Sequence, residues 1–189
     1  MPSMEMLTVN EASKSIENIL EIIWRALEYF PKGVWDEVRY LGNANIKHDV
    51  KIGIKGIFYK AFLFNNLIGK IRKIRGAMEI RDLLLAVTVD PVIAVYPQLE
   101  PKGISHMASL VRDYASYDVG IVSLFTLEND TAVMVTAHGL GHSRGLRHHS
   151  EPIDLMYEGL LGSRILNRKG FCRDCLRRVT GTKRDSIRG

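Results

Sequence analysis

The spacing His138-x3-His142-x2-Gly145-x2-His148 is the tightest constraint in this chain. Residues four apart on an α-helix lie on one face, so His138 and His142 can aim two imidazoles at one point. Gly145 can take the left-handed conformation that ends a helix, which a Cβ resists. The pattern therefore predicts a helix, a glycine-made end and a chain reversal that brings His148 back as a third nitrogen. Three protein donors with one open position is the arrangement of a catalytic-type zinc rather than a closed structural one. Imidazole is also the commonest metal ligand.

Around this motif the chain reads as an ordinary globular protein, 46% hydrophobic and 25% charged over 189 residues. That length predicts one domain over residues 1–189, with a metal-site region at 137–179 and a basic C-terminal tail at 180–189. No apolar run reaches the ~18–20 residues that cross a bilayer, so no membrane partner is expected. Met1 to Glu11 has neither a basic nor an apolar leader region, which predicts no signal peptide. Two cysteines without an export signal suggest a reducing, cytoplasmic setting and thiolate chemistry more than a disulfide framework. The net charge of +5 is uneven, since nine Lys/Arg face two Asp between Arg164 and Gly189. Such a tail can meet nucleic acid or be a solvated terminus. The near absence of aromatics among its basic residues, Phe171 excepted, disfavours nucleic acid.

Hydrophobic periodicity predicts the elements. A short strand is expected at Met6–Val9. A helix should follow over Glu11–Phe30, with Asn10 as N-cap and Pro31-Lys32-Gly33 as its stop. Val34–Leu41 alternates imperfectly as a strand, and Gly42–Lys60 reads as a turn-rich loop or short strand. A second helix is expected over Ala61–Arg75. Leu83–Val89 is a continuous apolar run that reads as a central strand buried on both faces. Val92–Tyr96 and Val119–Phe125 are further strands. A metal-bearing helix, capped by Asp130 or Thr131, should run to about Arg144. The class is α/β or α+β, a mixed twisted sheet with the metal helix packed on it.

The histidine pattern followed by Met156 resembles the metzincin clan of zinc peptidases, in which a methionine turn lies beneath the metal. Within the clan the chain most resembles the archaemetzincins. The shared features are Met156, the pair Cys172-x2-Cys175, Phe171 before it, the Arg/Leu-rich segment after it, and Leu83–Val89 followed by Asp90. The resemblance is sharp over Ala137–Val179 and diffuse before. It implies a metalloprotease fold with a C-terminal zinc-finger-like segment, a three-histidine zinc site, and a peptide or protein as substrate or ligand. It also implies a second, structural zinc, which the family holds with four cysteines. Here His149 and Asp154 stand at the first two of those positions, giving the set His149, Asp154, Cys172 and Cys175. Two reduced thiols or a disulfide are the alternatives for Cys172 and Cys175.

One residue departs from the chemistry. These peptidases carry Glu directly after the first histidine as general base, and here that position is Gly139. Positioned acid–base catalysis is worth about 10²–10⁴-fold, so peptide hydrolysis is expected to be weak or absent while the metal site survives. Gly139 and Gly141 should each also cost about 1 kcal/mol against Ala in a helix. Three explanations stay open: a pseudo-peptidase that binds without cutting, a substitute carboxylate, or a variant of an active parent. Glu151, Asp154 and Glu158 lie close in sequence, but nothing in their spacing aims them at the open position.

Overall fold

Every residue of β5 (Leu83–Thr88) is buried, and the strand occupies the centre of a five-stranded sheet. In this computed structural model, which describes residues 3–11, 13–101, 103–151, 154–157 and 170–181, β1 (Ser3–Val9) and β9 (Val119–Ser123) flank β5 in parallel. β2 (Glu37–Ala44) lies parallel outside β1, and β8 (Asp113–Ala115) closes the other edge antiparallel to β9. The order is β2-β1-β5-β9-β8.

Alternation along β5 builds two cores. Leu83, Leu85 and Val87 pack with α1 (Ser13–Leu27) and α3 (Asn129–Ser143), while Leu84 and Ala86 face α2 (Phe64–Ala77). Parallel strands need such cover on both faces, which is why β5 is apolar from Leu83 to Val87. A second sheet has the order β3-β4-β6-β7. β3 (Val50–Ile54) and β4 (Ile57–Leu63) form a hairpin, and β6 (Val92–Glu100) pairs antiparallel with β7 (Gly103–Leu110). A short helix, α4 (Arg173–Val179), sends Cys175 and Val179 into the core beneath α3. The fold is mixed α/β, as the sequence patterning predicts, with two sheets where the patterning gives one. No helix among the described residues is long and apolar enough to cross a membrane.

Several elements depart from their sequence-based bounds for local reasons. Asn10 does not cap α1. It has φ 61°, and its side chain accepts from the Ile46 N–H and donates to the Ile46 carbonyl, both at 2.7 Å. The loop expected at 42–60 contains the β3–β4 hairpin, whose Lys55-Gly56 turn has positive φ at both residues, the twist-matched form for two-residue loops. Ala61–Leu63 complete β4 instead of opening α2, because Phe62 and Leu63 pair in register with Val92 and Ile93. The helix then starts under Asp49, whose carboxylate accepts from the Leu63 N–H, Asn66 and Lys70. The cap residue of α3 is Glu128 rather than Asp130 or Thr131. β7 and β8 lie beyond the strands that the patterning predicts. Of the basic tail at 180–189, residues 182–189 lie outside the described residues.

The layered core sets a stability expectation. Leu85→Ala should lower unfolding free energy by about 2–5 kcal/mol, because Leu85 is fully buried between sheet and helices. Leu99→Ala, on the solvent side of β6 at 86% exposure, should stay within about 0.5 kcal/mol. Urea denaturation midpoints measure both.

Candidate metal centre

Helix α3 carries His138 and His142 on one face, and its C-terminus brings His148 to them. Gly145 has φ 79°, its N–H donates to the His142 carbonyl at 2.9 Å, and the Leu146 N–H donates to the Gly141 carbonyl at 3.0 Å. This is a Schellman end, which reverses the chain and satisfies the last carbonyls. The three Nε2 atoms lie 3.0 Å from one another in each pair. A triangle of that edge lets a single cation sit at about 2.0–2.1 Å from all three, the usual Zn–N distance.

The ring surroundings show what those short contacts are. His138 Nδ1 lies 2.6 Å from the Leu155 carbonyl and His142 Nδ1 lies 3.0 Å from the Leu146 carbonyl. A carbonyl only accepts, so each Nδ1 carries the proton. Burial, before any effect of neighbouring imidazoles, holds both rings below the ordinary histidine value, so both are neutral near pH 7. Their Nε2 atoms therefore face each other with lone pairs. Two lone pairs at 3.0 Å repel, and a shared cation removes the conflict. Histidine ligands with the outer nitrogen on a backbone carbonyl are the usual support for a bound metal. The residues fit a zinc ion.

The floor of the site is the turn at residues 154–157. Met156 is fully buried, and its Sδ would lie 2.7 Å from a Cβ at Gly141. The Met156 N–H donates to Asp154 Oδ1 at 2.5 Å, and its carbonyl accepts from the His149 N–H at 3.1 Å. Gly141 thus has a physical reason, a close approach of sulfur to helix backbone, that its helix propensity alone hides.

His149, Asp154, Cys172 and Cys175 also converge, with ligand atoms all within 4.8 Å of one another. His149 Nε2 is 3.2 Å from Asp154 Oδ1, 3.6 Å from Cys175 Sγ and 3.9 Å from Cys172 Sγ. The tautomer differs from that of the first site. His149 Nδ1 accepts from the Glu151 N–H at 3.2 Å, which leaves the proton of a neutral ring on Nε2, pointing at Asp154. Asp154 is buried, and its two oxygens also take the N–H groups of Met156 and Cys172. Burial, then the charge of Asp154, raises the Cys175 thiol. The donor set is that of a closed zinc site, but its imidazole is arranged as a hydrogen-bond donor.

One carboxylate near the histidines has no counterpart in the sequence reading. Asp113, at the start of β8, places Oδ2 3.9 Å from His138 Nε2, with its side chain 4% exposed. Burial raises its pKa to about 6, against the pull of His142 and His148. Its position 25 residues upstream on an edge strand gives no local signal. Of the carboxylates near the motif in sequence, Asp154 belongs to the second cluster, Glu151 is exposed, and Glu158 lies outside the described residues.

No family model and no curated protein matches the sequence. The fold is similar to a zinc-dependent peptidase from Methanocorpusculum labreanum, with TM-score 0.64 and 16% identity over 94% of this chain and 100% of that chain. It is also similar to archaemetzincin from Methanopyrus kandleri, with TM-score 0.62 and 18% identity over 95% of this chain and 94% of that chain. The resemblance read from the sequence to archaemetzincins therefore holds at the level of the fold.

The contact at Gly141 makes an expectation that runs against helix propensity. Gly141→Ala should gain about 1 kcal/mol from propensity yet lose about 1–3 kcal/mol by overpacking against Met156, and melt lower. Adding Met156→Ala should remove the clash, so thermal melts of the double variant should show less than the sum of the two single losses.

Proposed function

We propose that this chain is a zinc-dependent peptidase of the archaemetzincin kind, with His138, His142 and His148 as ligands of one zinc ion and a peptide or protein bound at the open position. The observation that carries the reading is the convergence of the three Nε2 atoms, two of them forced into the metal-binding tautomer by carbonyls at their outer nitrogens. Zinc supplies Lewis acidity towards a scissile carbonyl and a lowered pKa for water. The chain's own residues hold the geometry. Leu155 and Leu146 orient two rings, Met156 fills the floor against Gly141, and exposed His148 leaves that side of the triangle open to a ligand. A reducing, cytoplasmic setting fits the two free thiols.

Gly139 favours a second reading, in which the cleft holds a peptide or a C-terminal carboxylate without turnover. Hydrolysis needs a group that accepts a proton from water and returns it to the leaving nitrogen, and helix α3 supplies none after His138. Cleavage of peptide by the zinc-loaded chain separates the two, since the binding reading requires saturable binding with no product.

The tautomer of His149 bears on the number of ions. We expect metal analysis of protein prepared with excess zinc to give about one equivalent. His142→Ala should lose it, and Cys175→Ser should keep it. Two equivalents, with Cys175→Ser losing one, would mean that the His149 ring gives up its Glu151 bond to bind metal.

A further inference from the structure

Gly139 and Asp113 occupy one space. An ideal Cβ on Gly139 would lie 3.2 Å from the Cβ and 3.3 Å from Oδ2 of Asp113. Helix α3 and strand β8 approach so closely here that a side chain on Gly139 would push the Asp113 side chain aside by a few tenths of an ångström. The position after the first histidine, where related peptidases carry the carboxylate, thus lies directly against a carboxylate from the neighbouring strand.

Three features argue that this carboxylate is more than packing. Its side chain is only 4% exposed, yet among the described residues no hydrogen-bond donor reaches it, so its oxygens are free to meet another group. Its Oδ2 points at the three-imidazole face, 3.9 Å from His138 Nε2. It also stands outside the set of donor atoms that lie within 4.8 Å of one another, so it borders the triangle without joining it as a fourth ligand. That is the placement of a group that handles a proton beside a metal, not one that binds the metal.

Resting on the peptidase reading above, we infer that Asp113 is the general base, relocated from helix α3 to the edge strand β8. Asp113 takes one proton from the attacking water. The electron pair of that oxygen forms the new bond to the carbonyl carbon. The C–N electron pair then leaves with nitrogen, which receives the proton held by Asp113. Water and amide become acid and amine, and the carboxylate is restored.

The test uses the full-length zinc-loaded chain and a mixture of internally quenched randomised peptides. The variants are Asp113→Asn, Gly139→Glu, Asp113→Gly and the exchange Asp113→Gly/Gly139→Glu. Asp113→Asn should lower kcat/KM by about 10²–10⁴-fold while zinc stoichiometry stays that of the parent. Gly139→Glu alone should lower the melting temperature, and the same change on the Asp113→Gly background should lower it less, because the two side chains compete for one volume. The exchange should regain at least about tenfold in kcat/KM over Asp113→Gly, within the range positioned acid–base catalysis supplies. Unchanged kcat/KM in Asp113→Asn overturns the inference, as does loss of zinc in that variant, which would make Asp113 a ligand. Strict additivity of the melting shifts overturns the shared-space argument on which it stands. A parent that carries zinc and cleaves none of the peptides overturns the inference while leaving the metal site intact. A parent that binds no zinc overturns the peptidase reading itself, and the base with it.

Discussion

The hydrogen bond from His138 Nδ1 to the Leu155 carbonyl, 2.6 Å long and buried, couples the features on which the site depends. It fixes which nitrogen of His138 is free, and it ties helix α3 to the turn that carries Asp154 and Met156. That turn is held in its own right by the Asp154 carboxylate and by the Leu155 N–H to Gly170 carbonyl bond at 3.0 Å. Removing the His138–Leu155 or Met156–Asp154 contact would leave a buried polar group without its partner, which is costly. The three-histidine cluster is thus a property of two segments locked together, not of the helix alone.

Two glycines in the middle of a buried helix look like a fault until their neighbours are known. Gly141 admits the Met156 sulfur and Gly139 admits the Asp113 carboxylate. In each case helix propensity of about 1 kcal/mol is set against a close approach to which an added Cβ would force a neighbouring side chain to yield. Local sequence rules fail here because the backbone of α3 serves as a packing surface for β8 on one side and for the turn on the other.

What was legible in the sequence follows the range of the interactions. The histidine pattern, the helix and its glycine end are encoded within eleven residues, and β5 announces itself as an unbroken apolar run. Asn10 misled because its side chain satisfies Ile46, 36 residues away, instead of the adjacent helix. Ala61–Leu63 misled because pairing with β6 outweighs their fit to the helical period. β8 is three residues long and has no periodicity to detect, yet it carries Asp113. A contact between an edge strand and a helix 25 residues later leaves no trace in spacing. The second cluster was legible as a donor set, but not the orientation of the His149 ring, which depends on one backbone N–H.

The central claim is that one cation is held where the Nε2 atoms of three imidazoles meet. Anomalous diffraction collected above and below the zinc absorption edge, from crystals of protein grown with zinc, tests it most directly. A single strong peak at about 2.0–2.1 Å from Nε2 of His138, His142 and His148 is the result this account predicts. A map with no peak there, and with one ring turned so that its Nε2 donates to another, would contradict it.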